Sequence, residues 1–273
     1  MNSSRWLITG ASSGLGRALA EQALSVGHRV AATARDPKKV ADLQRQYPDR
    51  VAVIRLDVTE KSSIAMAVQE AEERFGGIDV LVNNAGYGYT AAVEEGEDAE
   101  VERMFLTNFT GPLEIIKAVL PAMRNRRSGL IVNISSIGAK LTIPGGGYYS
   151  AAKAALEAIS GSLRRETVDM GIHVITVEPG SLRTDFRGRS ARQSSIRIGD
   201  YDRVLGRVGE KRLGPQRGDP AKAAKAIVDT VDEGNPPKLL ILGSDALAGY
   251  EAFVKEEGDA VNRYRSVTLS SDA

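Results

Sequence analysis

Seven short apolar runs recur along the chain, at Trp6–Thr9, Arg29–Thr33, Val51–Leu56, Asp79–Val82, Leu130–Ile134, His173–Val177 and Lys238–Leu242. Long segments rich in Ala, Leu, Glu and Lys separate the first six. Connections of that length and composition suit helical crossovers, which join parallel strands rather than hairpins. Several runs are continuously apolar instead of alternating, as strands are when both faces are covered. The pattern predicts an α/β fold, a doubly wound parallel sheet with helices on both faces. With 273 residues, 42% of them hydrophobic, and no linker before residue 180, residues 1–273 read as one domain.

Two stretches depart from that pattern. Ser181–Arg217 carries ten Arg or Lys against four Asp or Glu and has little periodicity, so it reads as an insertion beside the sheet, a mobile lid over a substrate. Residues 218–273 supply a helix at Pro220–Asp232, the last strand and an acidic surface tail near 244–273. The whole chain balances 36 basic against 35 acidic residues, which leaves no field to hold nucleic acid or an anionic membrane. The absence of cysteine excludes disulfides, thiolate metal sites and cysteine nucleophiles, and two histidines offer little to zinc, so no metal is expected. No apolar run approaches the roughly 18 residues of a membrane span. The start, MNSSRWLITG, enters a strand directly, and the expectation is a cytoplasmic protein with a small-molecule substrate.

After the first strand, Thr9-Gly10-Ala11-Ser12-Ser13-Gly14-Leu15-Gly16 opens a helix. Glycines there let backbone N–H groups approach a pyrophosphate at the positive helix end. Gly10-Ala11-Ser12-Ser13-Gly14 also satisfies the GxSxG elbow of hydrolases, which would make Ser12 a nucleophile. That reading needs a downstream acid and base, and His28 and His173 both read as surface or strand-edge histidines. At the end of the second strand Ala34 stands where an acid would hold the ribose of NAD, and Arg35 beside it suits a 2′-phosphate. Asp36 is the competing ribose ligand. Asp57, followed by Val58, fits an adenine acceptor and a cap for the helix near Glu60–Phe75 equally well. Asn84, Ala85 and Gly86 follow the fourth strand, at the carboxyl ends where such sheets bind ligands.

Tyr149 and Lys153 are four apart at the start of a helical segment and share a face. A phenol titrates near 10 and needs a shift of about 3 units to exchange protons near neutrality. A neighbouring ammonium and an oxidised nicotinamide have the sign of charge that lowers it. Ser136, 13 residues earlier at the end of the fifth strand, can hydrogen-bond a substrate oxygen beside the phenol. Asn108 precedes Gly111 and Pro112, where a broken helix frees a carbonyl and can position a water.

TGxxxGxG, NNAG, an Asn with Gly three later, a Ser 13 before YxxxK, and Pro179-Gly180 with Thr184 occur here in order. Together they resemble the short-chain dehydrogenase/reductase family over residues 5–243. The resemblance implies a Rossmann-type sheet of seven strands and a nicotinamide cofactor bound by Gly10, Ser12, Ser13, Gly14, Leu15, Gly16, Arg35, Asp57, Val58, Asn84, Ala85 and Gly86. Pro179, Gly180 and Thr184 would contact its nicotinamide end. Tyr149 is implied as acid/base, Lys153 as holding the ribose and lowering the phenol's pKa, Ser136 as orienting the carbonyl, and Asn108 as part of a proton relay. Alanine followed by Arg at the second strand looks like the NADP-preferring branch, hence NADP(H), and the C-terminal Leu242–Ala246 is suggestive of carbonyl/hydroxysteroid-reductase-like members.

The implied reaction moves hydride between nicotinamide and a ketone, aldehyde or secondary alcohol. The dispersed apolar residues of 181–217, joined by Tyr87, Tyr89, Leu141 and Ile143, suggest a medium-sized apolar substrate; the arginines leave a 3-oxoacyl-type anionic or carrier-tethered substrate as the alternative. A catalytically silent NADPH-binding regulator is the rival from another class. The apolar segment Ala154–Leu163 reads as a helix buried on all sides, covered by the tail or by another copy in a homo-oligomer, dimer or tetramer.

Overall fold

The computed structural model describes residues 3–188, 191–208 and 216–272. The chain runs β1 (Arg5–Ile8), α1 (Gly14–Ser25), β2 (Arg29–Ala34), α2 (Ala41–Gln46), β3 (Val51–Arg55), α3 (Lys61–Phe75), β4 (Val80–Asn83), β5 (Gly88–Thr90), α4 (Asp98–Phe105), α5 (Gly111–Arg126), β6 (Gly129–Ile134) and α6 (Gly147–Thr167). It continues with β7 (Ile172–Pro179), β8 (Ala191–Gln193), α7 (Pro220–Asp232), β9 (Leu239–Leu242), α8 (Ser244–Arg263) and α9 (Arg265–Leu269). Among the described residues seven strands form one parallel sheet in the order β3-β2-β1-β4-β6-β7-β9, and β5 and β8 form a small second one.

The continuous apolar runs have a direct explanation. Successive side chains of a strand point to opposite faces. Trp6 and Ile8 therefore enter the core beneath α1 and α7, while Leu7 between them enters the core beneath α3 and α5. Val80 and Val82 part from Leu81 in the same way. With both faces packed, truncating the fully buried Leu7 to Ala is expected to cost about 2–5 kcal/mol. The strand order reverses between β1 and β4, and the crevice outside the carboxyl ends at that reversal is where such sheets take ligands.

Several expectations change. His28 is buried, stacked on Trp6 with its ring nitrogens on Ser4 and Asp232, at the end of the sheet opposite Ser12. It cannot serve Ser12 as a base, and His173 lies in β7 with its side chain outward, so the elbow reading of Ser12 has no partner. Within the single chain, the segment 154–163 of α6 is not covered on all sides, so the tail is not its cover. Ala154 and Ala158 are exposed and the space beside Gly161 is open, because neither α8 nor α9 folds back over it. Tyr89 does not line a cleft; its ring is in a core with Met104 and Ala152.

The segment 181–217, of which 189–190 and 209–215 lie outside the described residues, has structure of its own. Its neck is closed by pairing of Leu182 with Gly218, and β8 adds to β5. Its arginine excess does not simply face water. Arg192 pairs with Glu100, Arg197 with Asp202, and Arg207 with Asp202 and the fully buried Glu95. Beyond it, α8 and α9 lie on the surface with Ala246 as the one buried side chain described there. No described helix is long and apolar enough to cross a membrane.

Candidate active site

The glycine turn is shaped by close approach. Gly10 has φ +69°, and a side chain there would meet Ala85 at 3.0 Å. A Cβ at Gly16 would stand 2.5 Å from the Gly10 carbonyl and 2.3 Å from the Asn84 amide, so no other residue fits without moving the turn. Asn84 Nδ2 donates to Thr9 O at 2.9 Å, and the Thr9 hydroxyl accepts from the amides of Asn84 and Ala85. These bonds tie the ends of β1 and β4 into one floor. Ser13 precedes α1 without a side-chain cap bond, leaving the first helical amides, at Gly14, Leu15 and Gly16, with their dipole for an anion. Ser12 lies half-buried in the same turn.

At the end of β2, Ala34 is buried and Arg35 exposed. Asp36 is occupied: its Oδ1 caps the turn Pro37–Val40 by accepting from Lys38 N at 3.1 Å. That bond engages one of the two carboxylate oxygens of Asp36, and both Asp36 and Arg35 are exposed. Burial pushes Asp57 up, but the amide and hydroxyl of Thr59, from which it accepts, together with the charges of Arg35 and Arg55 hold it below its ordinary value. The carboxylate therefore shapes the turn before α3, whose first turn it does not cap directly. Val58 packs in the core, and its carbonyl is approached so closely by α5 that a Cβ at Gly111 would stand 2.4 Å away.

At the reactive end, Ser136 closes β6 and its Oγ accepts from Gly138 N at 3.0 Å. Its hydroxyl lies on the phenol's side of the crevice and lowers the Tyr149 pKa. Lys153, buried, donates from Nζ to Ile134 O at 2.8 Å and lies 5.8 Å from the centre of the Tyr149 ring. Burial pushes Lys153 down to about 8, with Glu157 resisting. Burial pushes the Tyr149 phenol up to about 12, and the Ser136 hydroxyl pulls it down. Burial outweighs the pull of the Ser136 hydroxyl, so the phenol lies above its ordinary value. The phenol is protonated at neutral pH, the form that can donate.

Leu106–Thr110 is a π-helical turn joining α4 to α5, where helices widen for function or strain. Pro112 lacks an N–H and so removes the i+4 donor that would occupy the Asn108 carbonyl. The Asn108 side chain is fully buried and brackets one residue, accepting from Tyr87 N at 3.2 Å and donating to Tyr87 O at 2.9 Å. Gly86 lies directly against this amide. Pro179 ends β7, Gly180 N donates to Leu242 O, and Thr184 packs over Gly14, which brings the two ends of the crevice together.

One contact was not legible from motifs. Phe186, two residues past Thr184, stands edge-on to the Tyr149 ring at 5.7 Å between centres. The acidic run Val93–Glu102 was the available signal for how 181–217 docks, since its carboxylates match that segment's arginines.

The family model for short chain dehydrogenases matches residues 5–195. The chain belongs to the short-chain dehydrogenase family. It is 37% identical over 272 residues, 97% of this chain and 98% of the other, to Oxidoreductase BOA17 of Botryotinia fuckeliana. A 3-ketodihydrosphingosine reductase of Bacteroides thetaiotaomicron is 38% identical over 237 residues, 85% of this chain and 84% of that one. A short-chain dehydrogenase from Streptomyces avermitilis superposes with a TM-score of 0.93 at 40% identity, covering 99% of this chain and 100% of that one. An alcohol dehydrogenase from Thermococcus sibiricus, solved with 5-hydroxy-NADP, superposes at 0.72 and 27% identity over 88% and 96%. This short-chain dehydrogenase is thus an oxidoreductase of the family's type, built on its Rossmann-like sheet.

Proposed function

We propose that this enzyme is an NADPH-dependent reductase of a medium-sized apolar ketone or aldehyde, working in reverse on the alcohol. The observation that carries the reading is the protonated Tyr149 phenol, whose pKa the Ser136 hydroxyl lowers, with buried Lys153 5.8 Å from its ring centre, at the switch point of the sheet. The glycine turn fits a dinucleotide pyrophosphate, since a Cβ at Gly16 would fill the cradle and the helix amides are open. Arg35, with one oxygen of Asp36 engaged elsewhere, supplies a cation for the 2′-phosphate, and a structural neighbour was solved with an NADP derivative.

The nicotinamide supplies the hydride when bound. Tyr149 gives its proton to the carbonyl oxygen, and Ser136 donates a hydrogen bond to the same oxygen, fixing its distance from the phenol. Lys153 holds the ribose and keeps positive charge beneath the ring, which stabilises the phenolate left behind. Asn108 holds the Tyr87 backbone, and its own carbonyl can bind a water leading to Lys153. Pro179, Gly180 and Thr184 face the nicotinamide end.

The apolar substrate is supported by Phe186 edge-on to Tyr149 and by the relative named as a 3-ketodihydrosphingosine reductase. The anionic alternative loses support because Arg192, Arg197 and Arg207 are already paired with carboxylates. A silent regulator would not need the complete set Asn108, Ser136, Tyr149 and Lys153. NADPH oxidation followed by absorbance with a panel of ketones tests the reading: turnover of apolar ketones is expected, and tight NADPH binding without turnover of any would overturn it. The exposed small-residue face at Ala154, Ala158 and Gly161 suits a second copy, and light scattering at micromolar concentration is expected to show a dimer or larger assembly.

A further inference from the structure

Behind Lys153 lies a cluster of charged groups that the reaction above does not use. Glu157 stands one helical turn beyond Lys153 on α6. Glu178 is the residue before Pro179 on β7 and is 1% exposed. Lys140, just after the turn Ile137–Ala139, pairs with Glu157 Oε2 and lies 3.5 Å from Glu178 Oε1. Ser135, between Ile134 and Ser136, donates from Oγ to Glu157 Oε1 at 2.6 Å. The other oxygen of Glu178, Oε2, is buried and has no partner.

Lys140 is the one ammonium in contact with both carboxylates; Lys140 and Glu157 keep some exposure, but Glu178, with its unpartnered Oε2, has almost none on which to spread a charge. Burying a second, unpaired carboxylate is costly unless it takes up a proton. Two adjacent carboxyl groups resolve this by holding one proton between them, and they then titrate as a pair. Burial and the neighbouring Glu157 push Glu178 up to about 7, against the pull of Lys140. The further cation nearby is Lys153, which Glu157 acts on from one turn along α6, while Lys140 and Ser135 face the pair from the β6 side. In the register of β9, apolar Ile241 lies opposite Glu178. On α8 the nearest carboxylate, Asp245, is engaged by the Ser181 amide.

We propose that Glu157 and Glu178 share one proton and form a positioning pair that sets the protonation of Lys153, and through it the pH range in which Tyr149 works. The proposal rests on the reading of Lys153 given above. The direction follows from charge. As pH rises and the shared proton leaves, the cluster with Lys140 passes from neutral to a net negative charge, and that charge keeps Lys153 protonated against its burial. Lys153 then loses its proton later than it would beside a neutral cluster.

Two measurements test this. Infrared spectra of the wild-type enzyme across the neutral range are expected to show the carbonyl stretch of a protonated buried carboxyl that disappears near pH 7 and is missing from Glu178→Gln. Its absence from the wild type would overturn the shared proton, whether or not the enzyme turns over any ketone. The pH profile of kcat/KM for ketone reduction is then expected to change in its alkaline limb only. In Glu178→Gln that limb moves to lower pH by about 1 unit, the size of one nearby charge, and Glu157→Gln moves it at least as far. Unshifted profiles accompanied only by a lower Tm would mean that the cluster is merely structural, and a soluble but inactive wild type would sink the reductase reading while leaving the infrared result standing.

Discussion

The glycine turn at Gly10–Gly16 and the segment that follows Gly180 face the same crevice and are held there by different forces. The turn is fixed by backbone approach: glycine against Ala85, the Asn84 amide against two carbonyls, and the Thr9 hydroxyl between two amides. The segment past Gly180 is fixed by side chains, chiefly Arg207 on Glu95, Arg192 on Glu100, and the Ser195 hydroxyl and amide on Glu97. Backbone approach tolerates almost no substitution, whereas ion pairs can be exchanged for others of similar reach. On the function proposed above, a cofactor common to many enzymes would be matched to the rigid wall and the variable substrate to the exchangeable one.

The comparison is broken most severely at the phenol itself. Tyr149→Phe keeps the ring against Phe186 and removes the proton donor, so turnover is expected to fall by about 10²–10⁴-fold while NADPH affinity, read by fluorescence titration, stays near wild type. Tyr148→Phe loses one hydrogen bond to the Val93 carbonyl and should be mild. If the Tyr148 variant is the inactive one, the assignment of the site is off by one residue.

On the rigid wall, Gly16→Ala places a methyl 2.5 Å from the Gly10 carbonyl. Overpacking of this kind costs about 1–3 kcal/mol, and because the strain sits in the pyrophosphate cradle, both NADPH and NADH affinity should fall together with Tm. Retention of full NADPH affinity would show that the turn is less constrained than its contacts imply. Arg35→Ala is expected to act more narrowly, weakening NADPH by about tenfold or more, the size of a charge-assisted contact, and leaving NADH unchanged. Equal use of both cofactors by the wild type would refute the role of Arg35.

The same contrast decides what was legible in the sequence. Backbone-limited positions leave fixed residue types at fixed spacing, so the glycine turn, Asn84, Ser136, Tyr149 and Lys153 could be found in order, and the doubly covered sheet could be read from continuous apolar runs. Ion pairs across 90 or more residues leave no such spacing: Arg192 with Glu100 and Arg207 with Glu95 announce themselves only as opposite charge excesses in two segments. For the same reason β5 and β8, three residues each, were not foreseen. His28 was misread because its position before β2 suggested an edge, while its neighbours Trp6 and Asp232 are brought to it by β1 and α7.

The smallest effect is expected where the exchangeable wall is anchored. Glu95 is fully buried and accepts from both terminal nitrogens of Arg207 and from the amides of Ala92 and Ile198. Arg207 is the first cause of the depression of Glu95 from its ordinary 4.5 to about 2. A depressed carboxyl contributes stability above its ordinary pKa and loses it as pH falls toward the depressed one, so this clasp should be intact at neutral pH and released only in strong acid. Arg207→Gln removes the bidentate fork but leaves the three-residue pairing of β8 with β5, the Ser195 bonds and the closed neck at Leu182 and Gly218. The segment should therefore stay attached but loosen, exposing 191–208 to faster limited proteolysis. Because Phe186 lies further along the segment toward the clasp than Thr184, which packs over Gly14, the loosening should reach the substrate before the cofactor. We expect KM for apolar ketones to rise by up to about tenfold, no more than the loss of one charge-assisted hydrogen bond, with NADPH affinity and the proton-transfer step unchanged. Arg207→Lys keeps the charge but cannot form the fork, and should fall between the two. If Arg207→Gln instead weakens NADPH as much as it weakens the ketone, the two walls are mechanically one, and the separation of a rigid cofactor wall from an exchangeable substrate wall fails.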